Sequence, residues 1–452
     1  MRHKIAKQLK LVDTKNKHFH GFELEFMREI ISQNIQLLDF ITADLIRNLK
    51  YPEKGREGMM SAEQVFMALI VKQLNGFSYE QLAFHLEDSK TYRRFCGFGI
   101  ADDVPSKSTL QRDIKKINSS ALEAVHKIIM SFAKQHKVEN GKAVRVDCTV
   151  VESNIHPPSD SSLLYDVVRK LARLTGNIIE EFSLQIKFIN HTSTAKKRAH
   201  KILNLRGTKN KKAAYKDLIN TAKKTITYAT TAVAGLNMFT DNPDAIAASK
   251  QLEHFIDLGN AVIFQAVSRV LKEQAVPSSQ KVVSIFEPHT DIIVKDRRAT
   301  YYGHKIALTG GKSGLLTDLV ILEGNPADTT IAKEMIVRQK EVFGTLPKQA
   351  SFDGGFASKN NLKELQRLGL KASVFAKKRG LKISDMAQSP WVYKKLRNFR
   401  AGIEGMISFL KRSFGLSRCT WSGFESFKTY AWASVITANL LMISRHFLKN
   451  EY

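Results

Sequence analysis

Residues 143–151 have the sequence AVRVDCTVV, in which apolar and polar side chains alternate. This alternation, which runs from Val144 to Val150, predicts a half-buried β-strand. One face of the strand is apolar and consists of Val144, Val146, Cys148 and Val150. The opposite face carries Asp147 in mid-strand, where a buried carboxylate without a partner is costly. This strand separates a helical region before it from a mixed region after it, and it therefore decides the fold.

After this strand the sequence is first helical and basic. No strand-like run occurs from about 158 to 276, and residues 196–224 hold eleven Lys or Arg against one acidic residue. Strand patterns then resume as KVVSIFE (281–287), YYGHKIALTGG (301–311) and LLTDLVILEG (315–324). Gly310 and Gly311 lie where a hairpin turn is expected.

The last third of the chain alternates between the two kinds of element. The patterns predict a helix over about 327–343, a strand ending in SFD at Asp353, a helix through Leu362, a strand KASVFA (371–376) and a helix over about 398–414. In this order, a three-stranded antiparallel unit is followed by alternating strands and helices. It predicts a mixed α/β layer with helices on both faces and a large helical insertion after the first strand.

The region before the strand is expected to be all-helical. Three Ser-x-x-Gln spacings predict helix starts, at Ser61 with Gln64, Ser78 with Gln81, and Ser108 with Gln111. Gly76 is expected to end the first of these helices, and Lys107 and Arg112 make the last one basic. Short helices of this kind favour a helix-turn-helix-like DNA reader. A plain helical bundle is the alternative, because capping boxes indicate only helix.

The charge of the chain predicts a polyanionic partner. Its 452 residues include 70 Lys and Arg against 43 Asp and Glu, which gives a formal net charge of +27. The spread of this charge along the chain favours nucleic acid over an anionic membrane surface. The most apolar stretch, 430–443, is shorter than the ~20 residues of a membrane span and is expected to be a buried helix.

The expected compartment is reducing and cytoplasmic. The basic N-terminus lacks the apolar core of a secretory signal. The three cysteines are far apart and fit neither a disulfide framework nor a zinc site.

Three carboxylates on separate elements are expected to meet at the sheet edge. Asp147 lies in the first strand, Asp353 ends a later strand before two glycines, and Glu404 lies on the long helix. Strand ends of open α/β sheets are the usual ligand sites. Hard oxygen ligands suit Mg²⁺ or Mn²⁺ rather than zinc. Two such ions, about 3.5–4 Å apart, can activate a water or a 3′-hydroxyl against a phosphodiester.

Each carboxylate also has a purely structural interpretation. Asp147 fits a half-exposed strand, Asp353 fits a turn initiator, and Glu404 fits a helix pair with Arg400. Only their joint placement favours catalysis.

Several further residues have less specific patterns. Lys305 is either a phosphate ligand or a strand-edge lysine. His289, His304 and Cys148 are scattered and are expected to be structural. Glu152 is an auxiliary acid or, as favoured here, a solvated strand end.

Together these motifs resemble those of DDE transposases of bacterial insertion sequences, whose catalytic domain has a ribonuclease-H-like fold. The resemblance covers nearly the whole chain. Residues 59–98 look like the helical N-terminal domain of the family, and VRVDCTVVESN (144–154) begins a segment that looks like the first catalytic strand. SFDGGFASKNNL (351–362) looks like the second aspartate motif, and NFRAGIEGMISFLKRSFGLSR (398–418) looks like the glutamate helix.

The resemblance implies that Asp147, Asp353 and Glu404 are catalytic and hold two Mg²⁺ or Mn²⁺ ions. It implies strand cleavage and strand transfer at the ends of an insertion sequence. The implied partners are double-stranded DNA, both terminal inverted repeats and target DNA, and a second copy of the chain in a homodimer on DNA. The implied location is the bacterial cytoplasm, in association with the nucleoid.

One large branch of that family carries Tyr, Arg, Glu and Lys at fixed spacing on the glutamate helix. Arg400, Glu404 and Lys411 match the last three, and Arg397 stands at the tyrosine position. Arg400 and Lys411 lie four residues before and seven residues after Glu404, so they share one helix face. Positive side chains beside metal carboxylates fit a phosphate substrate. The expected DNA-binding residues are Arg397, Arg400, Lys411, Lys305, Lys107 and Arg112.

The expected domains are a helical N-terminal segment (1–58), a helix-turn-helix-like DNA-binding domain (59–140), a catalytic domain (141–157 and 278–452) and a basic helical insertion (158–277). Two alternatives remain. One is a ribonuclease-H-like nuclease that cuts without joining, and the other is a domesticated DNA-binding regulator, against which the intact acidic triple argues.

Overall fold

The computed structural model describes residues 18–47, 59–99, 102–295 and 299–451. The chain forms two compact units, one of Met1–Ser153 with Gly303–Tyr452 and the other of Asn154–Tyr302. The polar break at 51–58 and the first 17 residues of the predicted N-terminal segment lie outside the described residues.

The described region before the first strand is helical, as predicted. Its helices are α1 (Phe19–Gln33), α2 (Leu37–Ile46), α3 (Ala62–Asn75), α4 (Tyr79–Asp88), α5 (Lys90–Cys96), α6 (Lys107–Ile114) and α7 (Ser119–Gln135). Capping boxes of Ser61 and Ser78 begin α3 and α4, and Gly76 ends α3 with φ of 65°. The predicted start at Ser108 is wrong. The Ser106 hydroxyl already accepts from the Thr109 amide, so Ser108 lies inside the first turn.

The second unit contains the helices that follow the first strand. They are α8 (Asp160–Glu181), α9 (Thr192–Asn204), α10 (Thr208–Leu236) and α11 (Pro243–Ala266). Their apolar faces form a core of their own, including Leu164, Leu171, Leu218 and Leu252. The predicted helical insertion is therefore confirmed, and its basic stretch 196–224 lies on α9 and α10.

The sheet has six strands, β1 (Ala143–Glu152), β2 (Asp291–Lys295), β3 (Ala299–Gly310), β4 (Leu316–Ile321), β5 (Gln349–Phe352) and β6 (Ala372–Phe375). Its order is β2-β3-β1-β5-β6, and β4 also pairs with β3. β3 is antiparallel to β1 and β4, whereas β1, β5 and β6 are mutually parallel. The mixed α/β fold is confirmed, and it is consistent with a ribonuclease-H-like sheet.

Two predictions about strands are wrong. Residues 281–287 form no strand, because the Ser284 hydroxyl accepts from the amides of Phe286 and Glu287 and closes a local turn. The strand lies instead at Asp291–Lys295. β1 is not half-buried, because Arg145 and Thr149 on its polar face are buried as well. A central strand with both faces covered buries these residues together with the apolar ones.

The remaining helices are α12 (Ala332–Phe343), α13 (Lys359–Arg367), α14 (Ile383–Met386), α15 (Pro390–Ser413) and α16 (Phe424–Glu451). α15 begins eight residues before the predicted 398, because Ser389 caps it and Pro390 suits the first helical position. α16 is a buried helix, as predicted for 430–443. Within the described residues, none of the helices has the length and apolarity that a membrane span requires.

A lysine is buried inside the first unit. Lys72 on α3 is 5% exposed, and its ammonium lies 4.9 Å from the ring centroid of Tyr79 and 5.5 Å from that of Trp421. Burial lowers the pKa of Lys72 from 10.5 to about 8. The unfolded chain therefore binds more protons than the folded chain between these values, and the free energy of unfolding should rise with pH from about 8 to 10.5.

We expect Lys72→Met to stabilise the protein by roughly 2 kcal/mol at pH 7. Each pKa unit corresponds to about 1.4 kcal/mol, and the lost contacts with the rings offset part of the gain. The measurement is a series of urea melts from pH 7 to 10 on wild type, Lys72→Met and the exposed control Lys115→Met. The advantage of Lys72→Met should shrink as the pH rises. A variant less stable than wild type at every pH would show that the ring contacts dominate.

Candidate active site

Parallel pairing of β1 and β5 places two of the predicted carboxylates side by side. Phe352, the last residue of β5, pairs with Val146 of β1. Asp353 follows Phe352, and Asp147 follows Val146. The register of two buried strands thus fixes the backbones that carry both aspartates.

The two glycines after Asp353 allow the next turn to pack closely. A Cβ atom on Gly354 would collide with the stem of Lys377, and one on Gly355 would collide with the carboxylate of Asp328. The short 3₁₀ turn at Gly354–Phe356 therefore fits only without side chains at its first two positions. This close packing holds Asp353 in its place beyond the strand end.

A buried arginine on the polar face of β1 holds α15 against the sheet. Arg145 donates to the carbonyl oxygen of Phe399 at 3.0 Å, and its guanidinium lies 4.7 Å from the ring centroid of Phe399. Gly402 on α15 leaves the room that this guanidinium occupies, since a Cβ atom there would collide with it. The contact sets the distance between β1 and the part of α15 that carries Arg400 and Glu404.

A single guanidinium joins all three predicted carboxylates. Arg400 Nη2 lies 3.0 Å from Asp147 Oδ2 and 2.7 Å from Asp353 Oδ1, and Nη1 lies 2.5 Å from Glu404 Oε1. The second oxygen of Asp147, Oδ1, accepts from the Cys148 amide at 2.7 Å. Carboxylates that are far apart in sequence therefore converge within the reach of one side chain.

The site opens from the sheet toward the helix surface. The side chains of Arg400 and Asp147 are 16% and 14% exposed, Asp353 is 36% exposed, and Glu404 is 61% exposed. A bulky substrate can therefore approach from the side of Glu404, while Asp147 forms the deepest part of the site.

Comparison with known protein families identifies the chain. A model described as a transposase domain (DUF772) matches residues 16–116, and one described as a transposase DDE domain matches residues 294–440. The chain is a transposase with a DDE domain. Searches of curated proteins and of solved structures gave no significant match. The DDE match includes Asp353 and Glu404, whereas Asp147 lies outside both matched ranges.

Transposases bind DNA, and those of the DDE class generally use divalent metal ions. The donor set of this transposase fits such ions, because three carboxylates supply hard oxygen ligands around one positive charge. No group of three or more His, Cys, Asp or Glu side chains within the described ranges is close enough to hold a metal ion by itself. In this arrangement each of the three carboxylates is paired with the guanidinium of Arg400.

The other basic residues predicted on α15 of the transposase lie on the face of Glu404. Arg397 is exposed and Lys411 is partly exposed. Within the described residues, the ion pairs of Arg400 bring that side chain together with the three carboxylates.

Lys305 is mostly buried and paired. Its ammonium lies 2.5 Å from Asp328 Oδ1 and donates to the carbonyl oxygen of Pro326 at 2.7 Å. The backbone of Lys305 pairs with Val150 on one side and with Leu322 on the other. The strand-edge interpretation is therefore wrong, and its phosphate contact stays a prediction.

The basic residues predicted in the helical region lie on its surface. The Lys107 ammonium lies 2.6 Å from Glu80 Oε2, and Arg112 Nε lies 3.3 Å from Asp113 Oδ1. Both are exposed residues of α6, and their contact with DNA stays a prediction.

The scattered residues have structural surroundings. His289 lies 2.7 Å from Glu287, and His304 is buried against Phe424 and Phe427. Burial raises the pKa of the Cys148 thiol.

Glu152 is not a free strand end. Its amide donates to the carbonyl oxygen of Ser417 at 3.0 Å, and its carbonyl oxygen accepts from the Cys419 amide at 2.8 Å. The backbone of this strand end is therefore paired with residues 417–419, and the role of the Glu152 side chain stays a prediction.

Sequence reasoning missed Lys377 and Asp328, which pack against the glycines after Asp353. The pair of glycines was the available signal, because adjacent glycines after a catalytic candidate indicate that something approaches closely. Their partners had no signal, since no spacing rule connects residue 328 or 377 to residue 354.

Proposed function

We propose that the transposase cuts and joins DNA at the ends of an insertion sequence, with Asp147, Asp353 and Glu404 as its catalytic carboxylates. The observation that carries this assignment is the salt-bridge cluster around Arg400, which gathers these three residues from β1, the end of β5 and α15. A structural helix pair of Arg400 with Glu404 would not require the two aspartates.

The same carboxylates are the proposed ligands of two Mg²⁺ or Mn²⁺ ions. Bound divalent ions would supply charge neutralisation and activation of an attacking oxygen during phosphodiester chemistry. The protein itself would hold the carboxylates on rigid elements and would position cationic side chains to bind phosphate. Arg400, Lys411 and Arg397 on α15 are the proposed phosphate contacts, since guanidinium and ammonium groups make charge-assisted hydrogen bonds to phosphate oxygens.

DNA binding is proposed to be divided among the regions of the chain. Helices between 59 and 140 would read the terminal repeats, with Lys107 and Arg112 on the surface of α6. The basic stretch 196–224 would contact phosphates without sequence preference. Two copies would act together, because two ends of one element have to meet.

The experiment uses a plasmid that carries the gene together with its flanking DNA on both sides. The purified chain is incubated with this plasmid, a target plasmid and Mg²⁺, and the products are sequenced. Strand transfer predicts cleavage at two inverted repeats and junctions between their 3′ ends and the target, all abolished by EDTA. Cleavage without junctions would support the nuclease alternative, and binding without cleavage would support the regulator alternative.

A further inference from the structure

The second unit contains a groove that no sequence prediction used. It has a volume of about 940 Å³ and runs along the exposed face of α8, opposite residues 188–193. α8 contributes Arg169, Lys170 and Arg173 to the groove, and Phe188 and Phe286 contribute aromatic rings. Ligand sites typically measure roughly 300–1,000 Å³, so the groove has room for more than a single small ion.

The cations of this groove are crowded and incompletely paired. Arg169 lies 3.0 Å from Asp166, but Lys170 and Arg173 form no ion pair within the described part of the chain. Burial lowers the pKa of Lys170, and the neighbouring charge of Arg173 lowers it further. One acidic residue, Glu180, also lines the groove. An anion between Lys170 and Arg173 would relieve their mutual repulsion.

An exposed aromatic ring lies beside these cations. Phe286 is 40% exposed, and the guanidinium of Arg169 lies 5.4 Å from its ring centroid. The same guanidinium lies 5.7 Å from the ring centroid of Tyr165. Arg169 is thus held at the ring of Phe286 by Asp166 and Tyr165. The Lys170 ammonium lies 4.5 Å from the ring centroid of Phe255, a contact that leaves its charge unneutralised. Lys170 and Arg173 are therefore the charges that a ligand can neutralise.

We propose that this groove binds single-stranded DNA, with phosphates at Lys170 and Arg173 and a base stacked on Phe286. A basic groove with aromatic side chains is the usual surface for single strands, because every base offers a flat face to stack. In duplex DNA those faces are covered by neighbouring bases, and Phe286 would have no role. The inference deepens the proposed function, since cutting and joining strands exposes unpaired nucleotides.

The test measures binding rather than catalysis. Full-length protein in EDTA is titrated against a labelled oligothymidylate and, separately, against a labelled duplex, at one fixed salt concentration. The variants are Phe286→Ala, Phe286→Leu and the double variant Lys170→Ala/Arg173→Ala. The matched control is Lys250→Ala/Lys272→Ala, which removes two charges from exposed positions of the same unit outside the groove. Circular dichroism melts show whether each variant is folded.

We expect Phe286→Ala to weaken binding of the single strand by between about fivefold and a hundredfold, with little change for the duplex. Phe286→Leu should weaken it as well, because leucine fills the space but offers no ring. The double variant should lose at least about tenfold more affinity for the single strand than the control.

If the groove variant and the control variant lose the same affinity for the single strand, the effect is one of net charge and the proposal is overturned. Equal losses for single strand and duplex would overturn the assignment to single strands. Both results are independent of the catalytic carboxylates, because EDTA prevents cleavage. If the chain does not cut or join DNA, these affinities are still expected. If the groove does not bind single strands, the assignment of the catalytic carboxylates is unaffected.

Discussion

Replacement of Glu404 by alanine is expected to lower the rate of DNA cleavage in Mg²⁺ by at least about a thousandfold, or ~4 kcal/mol in the barrier. The physical reason is the loss of one of three carboxylates proposed to hold the metal ions. Asp147→Ala and Asp353→Ala should have effects of the same order. DNA binding should survive and even improve, because each variant removes a negative charge near phosphate.

The position of Glu404 makes this variant the cleanest of the three. Its side chain is 61% exposed, and Arg400 contacts both aspartates through Nη2 while Glu404 contacts Nη1. Single-turnover cleavage rates, a melting curve and the Mg²⁺-dependent rise in melting temperature are measured together. Glu334→Ala, an exposed acid on α12, is the matched control. A folded Glu404→Ala protein that cuts well with Mg²⁺ would contradict the assignment.

Arg400→Lys is expected to lower the cleavage rate at least tenfold, about 1.4 kcal/mol in barrier. Lysine keeps the positive charge but cannot extend two parallel N–H groups to a phosphate. It also cannot reach three carboxylates as the guanidinium does. Positioning of a phosphoryl group contributes a large part of the catalysis of its transfer.

Lys411→Ala should also slow cleavage, but less strongly than Arg400→Lys. The comparison variant is Arg412→Ala, the neighbouring exposed residue of α15. If Arg400→Lys and Lys411→Ala cut at the wild-type rate and lose only thermal stability, both residues stabilise the helix. Oppositely charged side chains one turn apart on a helix contribute about 0.3–0.5 kcal/mol for each pair.

The order of elements could be predicted because each element depends on a local pattern, and the three carboxylates were chosen from their joint placement in that order. Alternation located β1, and Ser-x-x-Gln spacings located the starts of α3 and α4. These patterns failed where a competing local hydrogen bond was equally available. Ser106 caps α6, so the helix begins before Ser108. Ser284 closes a local turn in a segment that the sequence pattern predicts to be a strand.

The tertiary contacts of the site could not be predicted from spacing. The sequence placed Arg400 one turn before Glu404, but nothing in it indicated that the guanidinium also reaches Asp147 and Asp353. Burial of Arg145 was unexpected for the same reason, since it depends on α15 crossing the polar face of β1. The groove on α8 depends on the ring of Phe286, which lies more than a hundred residues further along the chain.

The pairing of β1 with β3 determines how this chain can fold. Glu152 pairs with Gly303, so the central antiparallel pair joins strands about 150 residues apart in sequence. Loop-closure entropy grows slowly with length, and each doubling of a loop costs only about 0.6 kcal/mol. The insertion could therefore vary widely in length at little thermodynamic cost. The kinetic cost is larger, because contacts of high sequence separation form slowly. Collapse of the separate core on α8–α11 shortens the effective loop, so the insertion should fold before the catalytic sheet closes.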